Sequence, residues 1–176
     1  MAVRGTASDN AKWELSHRYL SGQIDRATHR TIVMHQLRPN LKIGVEWNPR
    51  VDEVGFVGNW RALSESERRP AVIFGTSSDR IGTPRGQSYY VTVSRSLHEA
   101  TGLPIAPYVG ASYSTFENRM RYPFGVNVAL GPRWSAMLLN DGVHTHISAT
   151  RAWDRFALTV LAVEFEDLGF TIGTRF

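Results

Sequence analysis

Residues 122–130 read YPFGVNVAL, and the alternation within them decides the fold. Tyr122, Phe124, Val126, Val128 and Leu130 fall on one side of an extended chain, and Pro123, Gly125, Asn127 and Ala129 on the other. Successive side chains of a strand point to opposite faces, so a period of two predicts a β-strand with one greasy face and one small, polar face. The same template fits residues 41–48, where Leu41, Ile43, Val45 and Trp47 oppose Lys42, Gly44, Glu46 and Asn48. It fits the final segment too, with Leu168, Phe170 and Ile172 against Gly169, Thr171, Gly173 and Arg175.

Working outward, weaker alternation appears over residues 54–61, 89–97, 105–114, 143–150 and 155–160. Three segments, 13–20, 28–37 and 71–77, read as strands of ambiguous phase. Tight turns are predicted at 38–40 (RPN), 131–133 (GPR), 140–142 (NDG) and 165–167 (FED). Longer connections fall at 21–27, 48–52, 64–69, 77–86, 98–102 and 115–120, with one more at Trp153 and Asp154. Eleven connections imply twelve strands, with ten as the fallback count. Residues 64–68 could form a helical turn, but no segment sustains a 3.6-residue period. Residues 1–11 read as an N-terminal tail and 12–176 as a single barrel domain.

The composition narrows the class. The 176 residues are 42% hydrophobic and 20% charged, which excludes wholesale disorder. No cysteine is present, which excludes disulfides, thiolate metal sites and cysteine nucleophiles. The formal charge is +4, and the basic residues are scattered, so no nucleic-acid patch is expected. No apolar run is long enough for a transmembrane helix.

Alternating strands arise in two settings. A soluble barrel turns its apolar set inward, around an apolar ligand. A transmembrane barrel turns that set outward into lipid. The polar face separates them. A water-facing strand surface is usually rich in charge, whereas here Gly, Ser, Thr, Asn and Ala dominate. Gly44, Gly55, Gly110, Gly125, Gly169 and Gly173 all lie on it. Small residues suit a concave wall. Trp13, Trp47, Trp60, Tyr89, Tyr113, Tyr122, Trp134 and Phe176 sit near strand ends, as the aromatic girdles at two membrane interfaces would require. The expectation is therefore an all-β fold, a closed antiparallel transmembrane barrel with short connections. The soluble binder is the alternative.

The last nine residues, LGFTIGTRF, place Phe176 at the end and Ile172, Phe170 and Leu168 behind it in steps of two, with Thr174 interrupting the apolar series. This resembles the terminal strand of bacterial outer-membrane β-barrel proteins. The resemblance implies that Leu168, Phe170, Ile172 and Phe176 form the signal read by the barrel-assembly machinery. It implies an outer-membrane location, a lipid bilayer or detergent as surroundings, and a signal peptide already removed. Connections at 38–40, 62–69, 97–103, 131–133 and 150–154 would then be periplasmic and the other six extracellular.

By phase, the lumen-lining residues are Glu14, Arg18, Lys42, Glu46, Asn59, Arg61, Tyr108, Asn127, His144, His146, Arg155 and Arg175. Basic residues outnumber acids, so a porin-like channel would favour small anionic solutes. The bland alternative is that these charges pair across the lumen and plug it. His146-Ile147-Ser148 offers a second chemistry, because a histidine and a serine two apart share a strand face. The arrangement is similar to the His-x-Ser of outer-membrane lipid A 3-O-deacylases, whose triad a downstream glutamate completes. Glu164 and Glu166 are the candidates here, but Ala149-Thr150-Arg151 replaces that family's Asn-rich continuation, and both residues face the lumen by phase. His144 and His146 could chelate a metal, but His17, His29, His35 and His98 supply no third ligand by spacing. No metal and no cofactor are expected, and the reading is non-enzymatic.

Overall fold

The computed structural model describes residues 11–22 and 25–176; most of the predicted tail, and residues 23 and 24 of the first connection, lie outside them. The strands are β1 (Trp13–Leu20), β2 (His29–Arg38), β3 (Leu41–Asn48), β4 (Glu53–Leu63), β5 (Ala71–Ser78), β6 (Gln87–Ser94), β7 (Ile105–Ser114), β8 (Arg119–Arg121), β9 (Phe124–Ala129), β10 (Trp134–Asn140), β11 (Thr145–Ala152), β12 (Phe156–Val163) and β13 (Asp167–Arg175). All pairings are antiparallel between chain neighbours, and β1 also pairs with β13, closing the ring. β8 and β9 both pair with β7 and act as one stave, interrupted at Tyr122 and Pro123 because proline has no N–H to give the ladder. The fold is thus a closed twelve-stave antiparallel barrel.

The ladder register fixes which residues share a face. Glu46, Ile32 and Ser16 stand opposite one another across three strands, and so do His146, Leu139, Gly125 and Tyr108. These sets face inward. The apolar sets face outward and are widely exposed: Val54 at 68%, Leu168 at 63%, Val109 at 60% and Phe156 at 58%. Fully buried apolar residues among those described are few: Leu20, Ala27, Val57, Ala71 and Val163. An inside-out barrel of this kind is a lipid-facing surface, not the dry centre that a soluble apolar-ligand barrel needs. The soluble alternative is overturned by this orientation.

Aromatic residues gather at both rims. Trp13, Trp60, Trp134, Trp153 and Phe156 lie at the end that carries the termini, and Trp47, Tyr89, Tyr113 and Tyr122 at the other. Arg151 stands over the rings of both Trp134 and Trp153.

The ambiguous phase of residues 13–20 has a physical cause. β1 turns His17 outward between Leu15 and Tyr19, and its inward set ends in apolar Leu20. His17 is satisfied there by the Thr31 hydroxyl, 2.9 Å from its Nδ1, with His29 at 3.4 Å. Two helical turns escaped the sequence analysis, α1 (Asp25–Thr28) and α2 (His98–Thr101), both too short to show a period. The stretch 64–68 forms no helix; Ser66 bridges to Arg69 instead.

An arginine at the outward position of Val160 is expected to cost about 2–4 kcal/mol of stability in lipid vesicles, measured by guanidinium unfolding. The same change at inward Asn127 is expected to cost close to nothing.

Candidate functional site

The inner wall is polar and unevenly furnished. Charge gathers on the inner faces of β1 to β4 and β13, while β5 to β12 present mostly Gly, Ser, Thr, Asn and Tyr. Two of the inward glycines are covered rather than wetted. Tyr90 lies across the ladder from Gly75, and Tyr108 across from Gly125; a Cβ at Gly125 would come within 2.8 Å of the Tyr108 ring. The rings need that space, which is one reason the wall is glycine-rich.

Near the end carrying the termini, the lumen opens into a vestibule of about 580 Å³ lined in part by Ser94, Ser96, His98, Asn127 and Ser135. A neighbouring recess of about 400 Å³ includes Glu14, Ser16, Arg155 and Arg175. Glu14 accepts from Lys42 at 2.6 Å and forms an ion pair with Arg175 at 3.1 Å. Asn59 donates to the Tyr90 hydroxyl at 3.3 Å. Arg61 turns to the rim and donates to the Pro39 carbonyl. Arg155 and His144 lie in connections, immediately before β12 and β11.

The other end is crossed by a strap, residues 79–86, between β5 and β6. Ile81 packs against the cluster of Leu20, Ala27 and Val163, as does Leu161. Leu20 ends β1, four staves from β5, and Val163 ends β12, five staves from β6, so the strap reaches the opposite wall. Gly82 and Gly86 have φ of +105° and +109°, a region open mainly to glycine, and they let the strap double back. The sequence analysis reads residues 77–86 only as one of the longer connections.

One side chain clasps the strap. Arg26, on α1, is 4% exposed. Its Nε donates to the Thr83 carbonyl at 2.9 Å, and Nη2 to the carbonyls of Asp79 and Arg80 at 2.8 and 2.9 Å. Nη2 also reaches the Thr83 hydroxyl at 2.6 Å, and Nη1 the Gly86 carbonyl at 3.2 Å. Arg80 on the strap pairs with Glu117 at 2.8 Å, and Asp79 accepts from the Ser114 hydroxyl. Glu117 also accepts from Arg121 at 3.0 Å. Hydrogen bonds from these two arginines hold the Glu117 carboxyl down to about 2.

Beneath the strap lies a cavity of about 210 Å³, lined among others by Arg18, Arg26, Arg30, Arg80, Asp141 and His146. Arg30 pairs with the buried carboxylate of Glu46. His146 Nε2 lies 3.1 Å from Asp141 Oδ2. Burial works to raise the Asp141 carboxyl, but the bonds from His146 and from the amides of His144 and Val143 outweigh it and hold it below the usual range. The His-x-Ser arrangement is not assembled into a triad. His146 Nδ1 has no hydrogen-bond partner, Ser148 included, and Glu164 pairs with His144 at 3.1 Å. Among the described residues no cluster of three or more metal-ligating side chains occurs.

The sequence analysis missed Arg26, Arg30, Asp79, Arg80, Glu117 and Asp141. Most lie in connections or helical turns, where alternation carries no signal; Arg30 lies on a strand of ambiguous phase.

The sequence matches no protein-family model and no curated protein. Solved structures do share the architecture. The KdgM porin in complex with disordered oligogalacturonate aligns with a TM-score of 0.62 at 9% identity, over 94% of this chain and 98% of that one. A second structure of the KdgM porin gives 0.61 at 10% identity, with the same coverage. The barrel fold is shared with these porin structures. The NanC porin gives 0.55 at 12% identity, over 93% of this chain and 98% of that one. At such identities the likeness is one of backbone, and the strap's chemistry must be argued from this chain's own residues.

Replacing Arg26 with alanine leaves several strap carbonyls without their donor. The expected loss is about 3 kcal/mol of local stability. Amide exchange of residues 80–86 should then accelerate roughly 100-fold while the β-ladder is unchanged. Glu117 gives a second test. Its carboxyl sits below the ordinary range in the folded state, so its contribution is present above about pH 4 and is lost as pH falls through about 2. Exchange of the strap should therefore quicken between pH 4 and pH 2, and Glu117→Gln should remove that step.

Proposed function

We propose that this chain is a porin-like channel of a bacterial outer membrane, with a lumen that favours anionic solutes and a strap that gates one end. The observation that carries the reading is the pairing of an apolar, aromatic-girdled exterior with a polar interior that opens into a vestibule at the end carrying the termini. A barrel of about sixteen or more strands leaves a wide aqueous pore, and one of about eight is filled by its own side chains. Twelve staves lie between, so a single crossing segment is enough to close the passage.

The solute class is argued from the cations. Lys42 and Arg175 share one carboxylate, Glu14, and Arg61 at the same end has a backbone carbonyl as its partner. The interior thus keeps donors for a carboxylate or other anion. The oligogalacturonate in one KdgM porin structure supports acidic oligosaccharides as a class worth testing. The remaining lumen set (Arg18, Glu46, Asn59, Tyr108, Asn127, His144, His146 and Arg155) is proposed to line or border the route. Leu168, Phe170, Ile172 and Phe176 are proposed as the contact with the barrel-assembly machinery.

Planar-bilayer recording tests the channel and its gate together. The intact barrel is expected to show small, infrequent conductance steps. Replacing residues 80–85 with two glycines is expected to raise the conductance several-fold, with reversal potentials favouring anions over cations. Equal conductance with and without the strap would remove the gate, and cation preference in the strapless barrel would remove the solute class.

A further inference from the structure

Among the described residues that line the cavity beneath the strap, Arg18 is the cation without an ion pair of its own. It lies on the inner face of β1, directly across the ladder from Arg30, and facing like charges destabilise a strand pair. Arg30 is answered by Glu46, Arg80 by Glu117, and Arg26 by the strap carbonyls. Arg18 makes one long bond, from Nη2 to the Ala27 carbonyl at 3.4 Å. Its Nε is buried without a partner. The acids that line the same cavity are already engaged. Asp79 accepts from the Ser114 hydroxyl and the Arg80 amide, and Asp141 from His146 and two amides. A second orphan faces the same problem. His146 is 7% exposed, its Nε2 is taken by Asp141, and its Nδ1 has no partner.

An uncompensated buried cation is costly, and so is a buried polar atom left unpaired. One ligand chemistry relieves both. We propose that the cavity beneath the strap binds a single small oxyanion of the hydrogen-phosphate class, with Arg18 as its principal donor. The planar guanidinium suits the paired oxygens of such an anion. A protonated oxygen of the same anion donates to His146 Nδ1, which a bare anion cannot do. The cavity's floor belongs to the barrel wall, through Arg18 and His146, and its roof to the strap, through Arg80 and Ile81. Occupancy therefore stabilises the closed strap by mass action. The site needs no solute to cross the barrel, so it stands apart from the channel reading.

Thermal unfolding of the detergent-solubilised barrel tests this, with potassium phosphate compared against potassium chloride at matched ionic strength and neutral pH. Phosphate is expected to raise the midpoint by several degrees and to saturate. Arg18→Met should abolish that rise and, without phosphate, melt above the wild type because the unanswered cation is gone. Arg133→Gln, in an exposed turn at the other end, should keep the rise. Sulfate, which carries no proton at neutral pH, should shift the midpoint less than phosphate. Calorimetric titration of phosphate into the wild-type barrel should show one saturable site, a readout that does not depend on any variant folding. A flat wild-type response, or an equal rise in Arg18→Met, overturns the proposal; an equal shift from sulfate removes His146 from the site.

Discussion

The hydrogen-bonded closure of β1 on β13 is the constraint on which the rest depends. A backbone N–H or C=O facing hydrocarbon has no water to turn to, so an open sheet edge is not tolerated there. The register from Glu14–Arg175 to Leu20–Gly169 leaves no free edge at the point where the chain's two ends meet. Closure also separates two solvents. Once the ring is shut, side-chain alternation becomes a partition between lipid outside and a confined polar space inside. The greasy residues then need no core of their own, and the small number of buried apolar side chains follows directly.

Confinement raises the stakes for every charge on the inner wall. With low exposure and little water, each cation requires an acceptor, and the interior is organised as a series of such answers. Lys42 and Arg175 share Glu14, Arg30 takes Glu46, and Arg80 and Arg121 take Glu117. Arg26 departs from this pattern, because its partners are mainly backbone carbonyls of the strap. A guanidinium has five donors in a planar fork, which lets one side chain organise a loop that has no regular structure of its own. The strap is thus held by a polar clasp from one side and by the packing of Ile81 against Leu20 and Val163 on the other.

Much of the barrel was legible in the chain. The stretches around Gly125, Val45 and Phe170 alternate because each strand meets two unlike environments, and such a pattern survives without any knowledge of partners. The turns at 38–40, 131–133 and 165–167 were legible because Gly, Pro, Asn and Asp carry local conformational preferences. Phase failed where a lipid-facing polar residue, His17, is satisfied by a neighbouring strand. The end crossed by the strap was almost illegible. Arg26 and Arg80 are 54 residues apart, joined by a bond to a carbonyl, and no spacing rule connects an arginine in one connection to the backbone of another.

The sequence alone determined the period of two, the separation of greasy from small residues onto two faces, and an expectation of twelve staves with ten as the fallback, because each of these is written into local side-chain chemistry. Only the tertiary structure decided that a connection between two strands lies across the mouth of the barrel, and that Arg18 is left facing Arg30 with no carboxylate of its own. Those facts depend on which residues meet when the ring closes. Closure is a property of the whole ladder, and no single segment carries it.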